Sequence, residues 1–191
     1  MSEPVCIRAI PTSGLLDYWL GDDVAAEAAV EEHLMGCVHC SARLEALVRV
    51  ARGIRRATRA GHFHGVLSAS FVAALRGDGL RVREYHVPAN GSVACTVTPD
   101  DDLVVSHLRA PLRDVQRLDL VFEDLPSGTE LRMSDVPFDP AADAVVLAPD
   151  VAMLREFDTG LRRARLIAVQ DGAERELGSY TFDHTRFAGP G

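Results

Sequence analysis

Within the run His33-Leu34-Met35-Gly36-Cys37-Val38-His39-Cys40 stand three good transition-metal ligands, and no other stretch constrains the fold of this chain as tightly. A helix ending near His33 sets its imidazole and the Cys37 sulfur, at i and i+4, on one side of the chain. The Cys-x-x-Cys step then brings Cys40 to the same ion, a spacing that recurs in structural zinc sites. Three ligands leave one position of a tetrahedron. Cys6 is the leading candidate for it, being the only other cysteine in the amino-terminal part. This end of the chain is therefore expected to fold back on itself around one Zn2+.

The flanking sequence reads as helices. Leu15-Leu16-Asp17-Tyr18-Trp19-Leu20 is a short apolar helix closed by Gly21, and Asp22 or Asp23 can cap a second helix running to about Leu34. Gly36 turns the chain. Leu44, Leu47, Val48, Ala51 and Ile54 repeat at helical spacing and predict a longer third helix from about Cys40 to Gly61. Ser68 can cap a fourth, carrying Phe71, Val72 and Leu75. Gly61-His62-Phe63-His64-Gly65 lies between the last two as a linker or hinge.

After Gly79 the period changes from helical to alternating. Segments 80–87, 92–98, 103–108 and 117–123 read as strands, and 165–169 with 177–182 flank Asp171-Gly172 as a hairpin. Seven or eight short strands at this spacing predict a β-sandwich or jelly roll. The fold class is then α+β: a helical zinc-binding module over residues 1–78, followed by an all-β domain over 79–191.

The amino-terminal pattern resembles the zinc-binding anti-sigma domain of bacteria. The matching residues are Leu15-Leu16, Tyr18, Leu20-Gly21, Glu31-Glu32-His33-Leu34, Cys37 and Cys40, with Cys6 as the upstream ligand, and the likeness spans roughly residues 6 to 76. The resemblance implies a cytoplasmic regulator that wraps an extracytoplasmic-function sigma factor and blocks its access to RNA polymerase. Four short helices bury little among themselves, and a structural zinc ion contributes folding free energy on the order of 10 kcal/mol or more. Trp19, Phe71, Val72 and Leu75 are candidate anchors for the partner, or else core of the module itself. Arg49, Arg52, Arg55, Arg56 and Arg59 crowd the third helix, as a solvated face or as a patch for an acidic partner. The zinc is either structural or redox-linked, since a disulfide from Cys6 to Cys37 or Cys40 would eject it, as in redox-sensing members of the family.

Other chemistries find less support. A c-type haem site needs histidine where Ser41 stands, and a thioredoxin-like pair should follow a strand. Family members sometimes carry a cupin with its own metal, but a cupin's His-x-His set is missing after residue 79. His86, His107 and His184 are expected on separate strands, as scattered histidines rather than ones that converge on a second metal, the alternative that a folded sandwich leaves open. Cys95, alternating with Val93 and Val97, reads as a buried core thiol, and Asp100-Asp101-Asp102 as a turn rather than a calcium loop. No nucleophile elbow, P-loop or dinucleotide fingerprint occurs, so an enzyme is not expected. The net charge of −8 argues against nucleic-acid binding by the whole chain. Met1 to Arg8 lack a secretory apolar core and no segment has the roughly 18 apolar residues of a membrane span, so a cytoplasmic, soluble protein is expected. The competing expectation is a ligand-binding β-sandwich on which zinc merely staples a helical cap, with no sigma partner.

Overall fold

The computed structural model describes residues 6–21 and 27–189. The expected cap at Asp22 or Asp23 and the final Pro190-Gly191 lie outside that range. Helix α1 (Thr12–Leu20) ends at Gly21, whose φ of 76° is the left-handed conformation that glycine adopts without a Cβ penalty. Helix α2 (Glu27–Gly36) leads into α3 (Val38–Arg59), which begins two residues before the expected start. Arg43 on α3 donates to the Ile10 carbonyl and to Thr12 Oγ1, and Ser41 donates to the Leu34 carbonyl. These bonds tie the start of α1 and the end of α2 to the first turns of α3.

The expected linker or hinge is irregular over residues 61–64 and is tied to the sheet region at both ends. Strand β1 (Gly65–Leu67) pairs antiparallel with β7 (Ala144–Ala148), and the Gly61 carbonyl accepts from the Ala152 amide at 2.9 Å. Helix α4 (Ala69–Gly77) follows, capped as expected by Ser68, whose hydroxyl accepts from the Phe71 amide.

Nine strands among the described residues form two sheets. The first has the order β1-β7-β4-β2, with β2 (Val82–Val87) and β4 (Leu103–Arg109); the second has β3-β9-β8-β5-β6. In the second, β3 (Ser92–Cys95), β5 (Arg117–Asp124) and β6 (Thr129–Met133) join the long hairpin of β8 (Gly160–Gln170) and β9 (Ala173–His184). Both sheets are mixed, since β2 runs parallel to β4 and β3 parallel to β9 while the other pairs are antiparallel. Strands 80–87, 103–108 and 117–123 fall close to where alternation placed them. The 92–98 strand ends early at Cys95, and β1, β6, β7 and the short helix α5 (Val151–Glu156) were not anticipated.

One core lies between the sheets, where Val87 and Leu108 of the first meet Leu118, Leu120, Leu166 and Tyr180 of the second. The Tyr180 hydroxyl crosses to the Arg109 carbonyl, which satisfies a buried donor. A second core covers the outer face of the four-stranded sheet. There Leu67, Phe71, Val72 and Leu75 pack on Leu103, Val105 and Val146, with Ala51 and Ile54 of α3 and Trp19 of α1 against them. Residues 65–77, expected in a separate helical module, thus share a core with the sheet.

Candidate metal centre

Cys6 lies just before α1, His33 in α2, Cys37 at the N-cap of α3 and Cys40 in the first turn of α3. One ligand atom from each falls within 4.8 Å of all the others. The four residues named from sequence are therefore brought together. Cys6 Sγ stands 3.6 Å from His33 Nε2. With Zn–S near 2.3 Å and Zn–N near 2.0 Å, a tetrahedral ion places such a pair about 3.5 Å apart. Three sulfurs and an imidazole suit Zn2+, and the geometry fits a closed, four-ligand centre.

The surroundings favour metal-ready ligands. The Cys37 thiol is lowered to about 7, first by the backbone N–H of Cys40 and then by Cys6, Cys40 and His33, with desolvation acting against them. Cys6 is raised, chiefly by desolvation and then by its sulfur neighbours. Crowded thiols that resist ionising together are relieved by a divalent cation. Cys40 is fully buried and all four cysteines of the chain are free thiols. His39 is not part of the cluster.

The proposed partner anchors are placed differently from one another. Phe71, Val72 and Leu75 are buried against the four-stranded sheet, which is the core role of the two considered for them. Trp19 is half-buried, with its ring 6.3 Å from that of Phe71 and the Arg55 guanidinium over its other side at 5.3 Å. Among the described residues, Ile7, Met35, Val38 and Val50 are the large apolar side chains that the helical part exposes. Sequence reasoning passed over Val38 and Val50 because they stand outside the apolar row of α3, and over Ile7 because it precedes the first helix. Of the α3 arginines, Arg55 pairs with Asp78 and Arg49 with Glu45, while Arg59 donates to the Asp78 carbonyl.

In the β domain, Asp100, Asp101 and Asp102 are engaged by Arg81, Arg83 and Thr98, as a turn rather than a cation site requires. Cys95 is half-buried rather than in a sealed core, and burial pushes its thiol up to about 11. It lines an apolar cavity of about 100 Å³ between the sheets, together with Val104, Leu120, Phe122, Phe182 and the buried His184. His86 and His107, expected to stand apart, are neighbours: their rings stack at 4.3 Å, and Glu84 reaches both. Parallel pairing of β2 with β4 creates that contact, and the sequence carries no local sign of which strands will pair. His184 is elsewhere, edge-on to Phe157.

Among the described residues no helix is long and apolar enough to cross a membrane. No family model matches the chain, and no curated protein matches it. Among solved structures, the N-terminal domain of phage TP901-1 ORF48 is similar over 56% of this chain and 100% of its own, at 9% identity and a TM-score of 0.36. That likeness is too slight to carry an argument about fold or function.

Proposed function

We propose that this chain is a cytoplasmic, zinc-containing anti-sigma factor that binds and inhibits an extracytoplasmic-function sigma factor, and so regulates transcription in response to a signal. The observation that carries the reading is the convergence of Cys6, His33, Cys37 and Cys40 on one ion-sized space, in the register that resembles the zinc-binding anti-sigma domain. Zn2+ there would be held by three thiolates and an imidazole, supplying folding free energy rather than reactivity, since closed thiolate sites have no open position for substrate. The exposed Ile7, Met35, Val38 and Val50 offer a partner large apolar side chains. We read the two-sheet unit as a β-sandwich that props the helices.

The competing reading is a ligand-binding sandwich with a zinc-stapled helical cap and no sigma partner. It draws support from the apolar cavity between the sheets and from the core that joins helices to sheet. Co-purification with candidate sigma factors separates the two. Stoichiometric capture that is lost on chelation is the expected result; a metal-replete monomer that ignores every sigma factor favours the sandwich reading.

A further inference from the structure

The outer face of the four-stranded sheet is apolar only where helices cover it. Along β2 that face carries Val82, Glu84 and His86, and along β4 it carries Leu103, Val105 and His107; the first residues of each series belong to the core beneath α4. Where α4 ends, at Arg76 and Gly77, the side chains change to Glu84, His86 and His107. Parallel register sets His86 directly beside His107, and Glu84 lies two residues before His86 on the same face.

We propose that Glu84, His86 and His107 form a second metal site, separate from the cysteine-rich centre, that binds a first-row divalent transition ion through two imidazoles and one carboxylate. His107 Nε2 is 3.0 Å and His86 Nε2 3.7 Å from the same Glu84 oxygen, Oε2. Ligand atoms bound to one such ion at about 2.1 Å stand roughly 3.0–3.4 Å apart. Those of Glu84, His86 and His107 already lie within 4.8 Å of one another, and rotation of the exposed His86 ring out of its stack on His107 closes the site. The other carboxylate oxygen, Oε1, is taken by Arg76 from the last turn of α4. That contact fixes the carboxylate's orientation, the role that outer hydrogen bonds serve around metal ligands. His107 and Glu84 are largely buried while His86 faces solvent, which gives the ion an anchored side and an entry path. Three protein ligands leave coordination positions to water, so this ion exchanges more readily than one enclosed by four.

Cobalt titration of the full-length, demetallated chain tests the site, because sulfur ligands give a sulfur-to-cobalt charge-transfer band and nitrogen or oxygen ligands do not. About two ions per chain are expected, falling to about one in a His86→Ala/His107→Ala variant whose sulfur-to-cobalt band is unchanged. That intact band, together with unchanged circular dichroism, shows the variant to be folded. Glu84→Gln is expected to weaken the second ion by about tenfold or more. Uptake of only one sulfur-bound ion by the wild-type chain overturns the proposal, as does a second ion that persists undiminished in the double variant. Failure of the cysteine centre instead gives a different signature: a single ion, no sulfur band, and loss of that ion in the double variant.

Discussion

Cys37 gives up its proton near neutral pH, and it does so at the start of a helix among three other ligands. Substituting Cys37→Ser is expected to lower metal bound at that centre from about one ion per chain to nearly none, read as loss of the sulfur-to-cobalt band. Asp119 supports a second prediction. Burial acts to raise its carboxyl, but the Asp135 amide, Arg132 and Arg117 outweigh that and hold it below the usual carboxylate range. A depressed folded pKa stabilises the fold above the unfolded value of about 3.9 and loses that contribution as pH falls through the folded value. Asp119→Asn is therefore expected to lower the urea midpoint at pH 7, with the gap to wild type shrinking below about pH 4. A gap independent of pH would show that the carboxylate's charge is not what stabilises. At this scale the cysteine centre was legible because three of its ligands lie within one helical turn and a Cys-x-x-Cys step. Glu84, His86 and His107 were not, because their meeting depends on a strand pairing with no local signal.

Among the elements, α4 joins the two parts of the fold. Leu75 on it is wholly buried between helices and sheet, so Leu75→Ala is expected to cost about 2–5 kcal/mol in equilibrium unfolding. Ser68→Ala removes the hydroxyl that accepts from Phe71 and is expected to cost about 1 kcal/mol. Denaturant titration checks both; near-equal losses would mean that α4 is not packed as described. Strands β2, β4 and β5 were legible through alternation or through rows of branched residues bounded by turns. Strand β7 escaped notice because Ala144–Ala148 is apolar throughout, as a strand covered by helices on one face and by a sheet on the other must be. Strand β6 escaped for the opposite reason, since Thr129–Met133 is a mostly exposed edge in which only Leu131 and Met133 alternate with charged residues, too short a row to stand out. Three-residue β1 is too short to show any period at all.

For the molecule as a whole, the core shared by α1, α3, α4 and the four-stranded sheet makes helices and strands interdependent. Heating is expected to give one transition, with Trp19 fluorescence and far-ultraviolet dichroism coinciding, and chelation is expected to lower its midpoint. Separate midpoints for the two signals would show the helices unfolding on their own. The alternating period after Gly79 revealed a mainly β region but not the helix α5 within it, and it placed the border between helices and strands at a glycine that the packing ignores. Tertiary burial, which no local pattern reports, moved residues 65–77 to the sheet.

The short strand β1 sits at the rim of its sheet with one neighbour, β7, and spans just three register pairs. Its Leu67 belongs to the core beneath α4, so losing those pairs uncovers one buried side chain while the inner strands stay joined. Fraying is easiest at such a rim, so amide exchange at Val66 should outpace that at Val105, whose strand is flanked on both sides.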